Sequence, residues 1–239
     1  MRRHAIIIGA MKSGTSSLFR YLGQHPSICL SQPKELQFFS KSGFNKEPID
    51  YLKNWKIKTH HKVLLEGSTN YTKYPSFSDV AYRIHTFEID PKFIYIVRNP
   101  IHRLVSHYNH SIQRNRPCTI LDSHLINTSN YNLQLNQYRK YFSKEDIFIV
   151  DFDDLILETQ STINQIFLFL GLKEFKIQSN KIHNRTKKIR LKSLFHPAKP
   201  LLKINELSVH EHAEIIRLLK PEMQIFGQEY NIDIKKWGF

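Results

Sequence analysis

One turn near the start of the chain combines a lysine with several hydroxyl groups. Residues 9–17 read GAMKSGTSS, and Lys12 is the cation of this stretch. The hydroxyls belong to Ser13, Thr15, Ser16 and Ser17. An apolar run rich in isoleucine precedes the turn at residues 5–8, and a helical spacing that includes Leu18 follows it. Strand, glycine turn and helix form the frame of a phosphate-binding loop, because the backbone N–H groups of the turn and of the helix N-terminus converge on an anion. We therefore predict that this turn binds a phosphate.

The residue pattern of the turn differs from that of a nucleotide triphosphatase. The Walker pattern places a lysine directly after its second glycine, whereas here Thr15 follows Gly14. Lys12 precedes Gly14 by two residues and would approach the phosphate from the opening of the loop. We predict a phosphate cradle adapted to a different leaving group, with no Mg²⁺ ligand assigned. A glycine turn that binds nothing is the alternative.

A second candidate for chemistry is the pair Lys34–Glu35, which lies just ahead of Phe38 and Phe39. Desolvation by aromatic neighbours raises the proton affinity of a carboxylate, and an adjacent cation lowers it. Such tuning suits a general base. The alternative is an ordinary surface ion pair before a hydrophobic anchor, and this stretch taken alone favours that alternative.

A third candidate is Arg98, which directly follows a predicted strand at residues 93–97. Ser106 lies two turns into the helix that begins near Ile101. Arginine offers a planar fork of donors and serine a short one, so the two side chains could meet on one phosphate. An arginine that caps a loop is the alternative. His107 and His110 lie on the same helix, and we interpret them as packing or surface residues and not as metal ligands.

The elements that must position these residues alternate between strand and helix. Further strands are predicted at residues 28–30, 62–66 and 146–150. Helices are predicted at residues 50–55, 76–87, 131–142, 159–170 and 208–226, and residues 115–130 are predicted as a loop. This order predicts an α/β fold, a single domain over residues 1–239 with a mostly parallel central sheet flanked by helices. Both candidate anion sites would then lie at the same edge of the sheet.

Composition adds broad limits. The 239 residues include 35 Lys+Arg and 21 Asp+Glu, a net charge of +14, which attracts nucleotides, nucleic acid, acidic saccharides or anionic lipid. Cys29 and Cys118 lie far apart, imply no disulfide framework and fit a reducing compartment. The apolar run near the N-terminus is too short for a signal peptide, and no stretch approaches the roughly 18 apolar residues of a membrane helix. We expect a cytoplasmic protein, unless an N-terminal anchor is missing from the sequence.

Taken together, these segments resemble the sulfotransferases that use 3′-phosphoadenylyl sulfate (PAPS), especially the bacterial and heparan-sulfate-type branch. GAMKSGTSSL at residues 9–18 is similar to the family's 5′-phosphosulfate loop, and HPSICLSQPKELQFFS at 25–40 to its segment with the catalytic glutamate. FIYIVRNPIHRLVSHYNH at 93–110 resembles the 3′-phosphate motif, and EGSTNY at 66–71 the acceptor-side segment. KPEMQIFGQEYNIDIKKW at 220–237 resembles the closing helix and tryptophan. The matches follow the family order and span nearly the whole chain.

The resemblance implies a P-loop-like sulfotransferase fold and an enzyme that transfers a sulfuryl group from PAPS to an acceptor hydroxyl, leaving adenosine 3′,5′-bisphosphate (PAP). It implies Glu35 as the base and Lys12 as the cation at the bridging oxygen, without a metal. The implied PAPS contacts are Lys12, Ser13, Gly14, Thr15, Ser16, Ser17, Arg98 and Ser106, with Arg190 and Lys192 as weaker ones. The implied acceptor-side residues are Lys34, Glu66, Ser68 and Tyr71. The expected acceptor is a saccharide or glycoconjugate, and no nucleic-acid partner is expected.

The sequence also departs from the family pattern. Gly67 stands where many heparan-type members have a lysine that helps the sulfuryl group. The late K-G-R-x-H-P pattern keeps residues 195–197, but residues 192–194 read KSL. The disulfide of the animal branch is absent, which agrees with a cytosolic bacterial-type enzyme.

Two other functions stay open on the residues themselves. A P-loop kinase or NTPase needs a lysine after Gly14 and a carboxylate for Mg²⁺, and Thr15 argues against it. A non-enzymatic nucleic-acid-binding protein is allowed by the charge, although no known binding motif is present. The expected acceptor loops are residues 41–62 and 111–130, and their sequences do not indicate which acceptor they bind.

Overall fold

The computed structural model describes residues 2–87, 89–178 and 207–239. Five strands form one sheet in the order β2-β3-β1-β4-β5, and every neighbouring pair is parallel. The strands are β1 (Arg3–Gly9), β2 (Ile28–Leu30), β3 (Val63–Gly67), β4 (Pro91–Val97) and β5 (Ile147–Asp151). The predicted α/β fold with a parallel sheet flanked by helices is confirmed.

Nine α-helices are present in the described part of the chain. They are α1 (Thr15–Leu22), α2 (Pro48–Leu52), α3 (Val80–His85), α4 (Pro100–Gln113), α5 (Ser123–Ser129), α6 (Tyr131–Tyr138), α7 (Phe152–Leu157), α8 (Thr159–Phe169) and α9 (Val209–Tyr230). Single 3₁₀ turns lie at Phe38–Ser40, Thr69–Thr72, Lys144–Asp146 and Lys235–Trp237.

The sheet is covered on both faces, which explains why its strands read as continuous apolar runs. Side chains of α1 and α8, such as Leu18 and Phe167, pack on one face. Side chains of α6 and α9, such as Tyr131 and Phe226, pack on the other. Trp237 is 3% exposed and joins this second cluster.

Residues 115–130 were predicted as a loop, and this prediction is wrong for half of the stretch because α5 lies within it. The carboxylate of Asp122 accepts a hydrogen bond from the backbone N–H of His124 at 2.8 Å and caps the helix. Leu125 and Ile126 then bury their side chains in the core. The polar composition of residues 115–130 gave no helical signal, because the formation of this helix depends on its cap and on tertiary packing.

Other helix bounds also differ from those predicted. The helix predicted at 76–87 is shorter, and the helix predicted at 131–142 ends at Tyr138. The helix expected from residue 208 runs on through Pro221 to Tyr230. Within the described ranges, no helix combines the length and the apolar character needed to cross a membrane.

The carboxyl edge of the sheet gathers the predicted site. β1 is the central strand and pairs with β3 on one side and β4 on the other. The chain goes from β1 to the β2–β3 side and later reaches β4 and β5 on the opposite side. Ligands bind at such a reversal in open α/β sheets, just beyond the carboxyl ends of the strands. The segments that follow β1, β3 and β4 therefore meet there.

Candidate active site

A cavity of about 1030 Å³ opens at the carboxyl edge of the sheet. Its wall includes much of the turn after β1, the Glu35 segment, and residues of β4–α4. Of the predicted site residues, the wall contains Lys12, Gly14, Thr15, Ser16, Ser17, Glu35, Arg98 and Ser106. Both candidate anion sites therefore face one cavity, as the sheet topology predicted.

The remaining predicted residues lie elsewhere. Ser13 belongs to the turn but is fully buried, so its side chain is not part of the wall. Lys34 lies beside the wall and reaches it through its ammonium. Arg190 and Lys192 fall outside the described residues.

Gly14 shapes the turn that precedes α1. Its φ of +91° is a left-handed value that side-chain-bearing residues adopt at a cost. A Cβ at this position would approach the ring of Phe152 to 2.7 Å. The first turn of α1 carries no acidic side chain, so the partial positive charge of the helix N-terminus stays available to an anion.

Arg98 lies across the turn. Its NH1 group donates a hydrogen bond to the carbonyl oxygen of Lys12 at 3.2 Å, and its guanidinium carbon lies 5.1 Å from the ring centre of Phe152. Burial lowers the pKa of Lys12, and the charges of Arg98 and Arg114 lower it further. The part of the cavity at this turn therefore concentrates positive charge that a phosphate would neutralise.

Glu35 is held by hydrogen bonds to both carboxylate oxygens. The ammonium of Lys34 lies 3.1 Å from Oε1, and the hydroxyl of Thr69 donates to Oε2 at 3.1 Å. The same ammonium donates to Oγ1 of Thr15 at 3.3 Å. The side chain of Glu35 is 36% exposed and that of Lys34 is 19% exposed. The pair thus lies at the cavity beside the turn, and Lys34 links the carboxylate to the turn.

Glu66, Ser68 and Tyr71 are not part of the cavity wall. Glu66 and Ser68 have no exposed surface, and Tyr71 is 3% exposed. The Glu66 carboxylate accepts hydrogen bonds from the hydroxyls of Tyr51 at 2.8 Å, Ser68 at 2.9 Å and Tyr71 at 3.3 Å. Burial raises the pKa of Glu66 to about 7. Direct contact with an acceptor was the sequence expectation for these residues, whereas the structure gives them buried positions next to the Glu35 segment.

Sequence reasoning assigned no role to Arg103, which the structure places fully buried on α4. Its guanidinium donates to Oγ of Ser129 at 2.6 Å, to the carbonyl of Leu125 at 2.9 Å and to the carbonyl of Met11 at 3.4 Å. It also lies 3.2 Å from Nδ1 of His107. Arg103 thus ties α4 and α5 to the turn after β1. One signal in the sequence could have indicated that Arg103 is buried: it lies on the apolar face of α4, four residues before His107.

His107 lines the cavity beside Arg103. Burial and the charge of Arg103 lower the pKa of His107 to about 2, so its imidazole is neutral. This agrees with its interpretation as a packing residue. Across the described residues, no group of three histidine, cysteine or acidic side chains is arranged to hold a metal ion.

The cavity has further basic lining outside the turn after β1. Lys73 and Arg116 line it, together with Asp122 and His124. The ammonium of Lys73 donates to Oδ1 of Asn70 at 2.7 Å, and burial lowers its pKa to about 8, against the opposing influence of Glu35. Positive charge at the cavity therefore extends beyond the turn.

A family model matches most of the chain: the Sulfotransferase domain, over residues 2–214. The chain belongs to the sulfotransferase domain family. It is 28% identical over 202 residues to mouse heparan sulfate glucosamine 3-O-sulfotransferase 5, covering 77% of this chain and 57% of that protein. It is 25% identical over 197 residues to the bifunctional heparan sulfate N-deacetylase/N-sulfotransferase 1 of Caenorhabditis elegans, covering 73% and 22%. This sulfotransferase domain thus spans less than two thirds of the length of these relatives.

Solved structures share the fold. A sulfotransferase from Alicyclobacillus acidocaldarius superimposes with a TM-score of 0.76 at 20% identity, covering all of both chains. The sulfotransferase domain from the curacin biosynthetic pathway gives a TM-score of 0.54 at 14% identity, covering 74% of this chain and 76% of that one. The predicted sulfotransferase fold is therefore confirmed.

Proposed function

We propose that this sulfotransferase domain transfers a sulfuryl group from PAPS to a hydroxyl group of a saccharide acceptor. The observation that carries the proposal is that Lys12, Arg98 and Ser106 face the same cavity as Glu35. In the reaction, the acceptor oxygen forms a bond to sulfur while the bond from sulfur to the phosphate oxygen breaks. PAP leaves, and the proton of the hydroxyl passes to the base.

The donor end would hold the nucleotide through fixed positive groups. The turn after β1 offers backbone N–H groups, the hydroxyls of Thr15, Ser16 and Ser17, and the ammonium of Lys12 for the 5′-phosphosulfate. Arg98 and Ser106 would bind the 3′-phosphate, where a planar guanidinium can form two parallel hydrogen bonds. Arg190 and Lys192 are proposed as further contacts. The crowding of positive charge around Lys12 supports this assignment, because a polyanion would relieve it.

Lys12 would also assist bond breaking. Charge develops on the bridging oxygen as the bond to sulfur breaks, and a preorganised cation beside it lowers the barrier. In P-loop NTPases a bound Mg²⁺ takes part in this neutralisation. We propose that Lys12 supplies the charge in this domain.

Glu35 would accept the proton of the acceptor hydroxyl. Both of its oxygens are held by donors, the ammonium of Lys34 and the hydroxyl of Thr69, which keeps the carboxylate at the cavity. A base in such a position contributes about 10²–10⁴ to the rate.

The acceptor is proposed to be an anionic saccharide. The curated relatives named above act on heparan sulfate, according to their names. The cations Lys73 and Arg116 line the cavity outside the turn after β1, where they would attract acidic groups of such a chain. Neutral acceptors would leave these charges without a partner.

Two measurements test the proposal. Calorimetry should detect binding of PAP to the purified chain, and labelled PAPS should transfer its sulfuryl group to members of a panel of anionic saccharides, neutral saccharides, lipids and phenols. The absence of any association with PAP would refute the proposal. Turnover that requires ATP and Mg²⁺ would point to a kinase, and steeply salt-dependent binding of DNA or RNA without PAP binding would point to a nucleic-acid-binding protein.

A further inference from the structure

Two hydrogen-bonded relays join buried Glu66 to the backbone just after the candidate base. The hydroxyl of Ser68 donates to Oε2 of Glu66 at 2.9 Å and accepts from the backbone N–H of Gln37 at 3.0 Å. The hydroxyl of Tyr71 donates to Oε2 of Glu66 at 3.3 Å and accepts from the backbone N–H of Phe39 at 3.3 Å. One carboxylate thus fixes two backbone positions of the same short segment.

The direction of these bonds depends on the charge of the carboxylate. An ionised carboxylate only accepts, and each hydroxyl has a single hydrogen to donate. With Tyr51 as the third donor at 2.8 Å, ionised Glu66 takes one hydrogen from each hydroxyl and leaves the oxygens of Ser68 and Tyr71 free to accept from the backbone. Protonated Glu66 carries a hydrogen of its own that needs an acceptor. One of the three hydroxyls must then accept this hydrogen and can no longer donate to the carboxyl group.

The segment needs such support. Gln37 has a φ of +50°, a left-handed value that is uncommon for residues other than glycine. Gln37 lies two residues after Glu35, and the side-chain bonds of Glu35 to Lys34 and Thr69 do not reach the backbone N–H of Gln37. The Ser68 hydroxyl binds the N–H group of the strained residue itself.

We propose that Glu66 is a positioning residue that acts through Ser68 and Tyr71 to hold the segment of Glu35 in its catalytic conformation. The inference rests on the proposed function, in which Glu35 is the base. It assigns to Glu66, Ser68 and Tyr71 a structural link to the reaction in place of contact with the acceptor.

The ionisation of Glu66 supports the proposal and gives it a pH dependence. Burial raises its pKa to about 7, the three hydroxyls lower it, and the negative charge of Glu35 raises it. Among the described residues, the tyrosines around Glu66 are Tyr51, Tyr71 and Tyr138, and burial raises the pKa of each well above 10. Only ionised Glu66 accepts from all three hydroxyls together, so the anchor of the two relays is complete above about pH 7, and we expect kcat to rise as the pH passes this value.

The test compares three variants with a matched control. Glu66→Gln removes the charge, Ser68→Ala removes one relay and Tyr71→Phe removes the other. Thr162→Val is the control, because it removes a buried hydroxyl on α8, at the opposite face of the sheet. For each variant we would measure kcat, KM for PAPS, melting temperature and hydrogen exchange of the Gln37 and Phe39 amides. The Glu66→Gln variant would also be made in a Glu35→Gln background.

We expect Glu66→Gln and Ser68→Ala to lower kcat about 10- to 100-fold at pH 8 with little change in KM, and to speed exchange of the Gln37 amide. Tyr71→Phe should speed exchange of the Phe39 amide, and Thr162→Val should change neither. The step in kcat near pH 7 should vanish in Glu66→Gln. In the Glu35→Gln background, adding Glu66→Gln should cost little more activity, because the two residues act as a unit.

Three outcomes would overturn the inference: unchanged amide exchange, equal effects of Thr162→Val on kcat, or additive losses in the double variant. If the wild type binds no PAP and transfers no sulfuryl group, the proposed function fails instead. In that case the amide exchange still decides whether Glu66 holds the segment.

Discussion

The ammonium of Lys34 lies 3.1 Å from Oε1 of Glu35, and it also donates to the hydroxyl of Thr15 at 3.3 Å. One side chain therefore contacts both the candidate base and the turn that would hold the sulfuryl donor. The sequence alone seldom shows where in the fold an ion pair between neighbouring residues lies. Here the low exposure of Lys34 shows that the pair belongs to the cavity region.

Replacing Lys34 with methionine should lower kcat about 10-fold with a smaller change in stability. The variant keeps the apolar stem but leaves only Thr69 to hold the Glu35 carboxylate. Lys53→Met is the matched control, since Lys53 pairs with Asp50 at 2.7 Å on the surface and exposed pairs contribute little. Steady-state kinetics should separate the two variants; equal kcat values would contradict the link.

Replacing Glu35 with glutamine should abolish most turnover without loss of nucleotide affinity. Glutamine keeps the size and one acceptor oxygen but cannot take up the proton, so kcat should fall by about 10²–10⁴. Calorimetry with PAP should give the affinity of the wild type. Near-normal turnover in this variant would show that another group is the base.

Replacing Arg98 with alanine should weaken binding of PAP far more than binding of adenosine 5′-phosphate. Hydrogen bonds to charged groups contribute about 1.5–3 kcal/mol, which corresponds to roughly 10- to 150-fold in affinity. Arg217→Ala is the control for net charge, because Arg217 pairs with Glu214 on the exposed face of α9. Equal losses for the two nucleotides would count against a 3′-phosphate site at Arg98.

Replacing Gly14 with alanine should destabilise the turn and weaken PAP binding. A left-handed backbone costs an L-residue about 1–2 kcal/mol, and the added methyl would also press on Phe152. Gly43→Ala is the control, because a Cβ there meets no atom within 4 Å. Phe152→Leu in the Gly14→Ala background should relieve the contact but leave the backbone cost. Urea unfolding of the four proteins measures both parts.

The buried Glu66 should make stability fall as the pH rises from about 5 to above 7. Its pKa is raised from 4.5 to about 7 in the fold, so over this range the folded state keeps a proton that the unfolded chain has lost. The full penalty above pH 7 is on the order of 3 kcal/mol. Glu66→Gln should lack this component.

The measurement for Glu66 is the difference in unfolding free energy between wild type and Glu66→Gln across pH 5–8. His107, whose pKa is lowered to about 2, contributes the opposite slope below pH 6.5 because the unfolded chain binds more protons there. This contribution is common to both proteins and cancels in the difference. A difference that does not change with pH would show that Glu66 ionises normally.

The sequence predicted the placement of those candidate site residues whose position depends on local spacing. The turn around Lys12 and Gly14 needs only neighbouring residues, and Arg98 directly follows a strong strand pattern. That these residues share a sheet edge also followed from the alternation of strands and helices. The fold class could be predicted for the same reason.

The sequence could not show what depends on distant partners. Glu66 is buried because Tyr51 and Tyr71 reach it from separate segments, and nothing in EGSTNY reveals this. The helix α5 needs the core as well as its Asp122 cap. The burial of Arg103 depends on acceptors that α5 and the turn after β1 supply.

The central position of β1 separates two groups of residues to which the proposed function gives different tasks. The segments that follow β3, with Thr69 and Lys73, lie to one side of it, and Arg98 after β4 lies to the other. Under the proposed function, substitutions on the β3 side would change which acceptor is chosen while nucleotide recognition stays intact. Under that proposal, such an arrangement would let a single scaffold diversify its products during evolution while it keeps one donor.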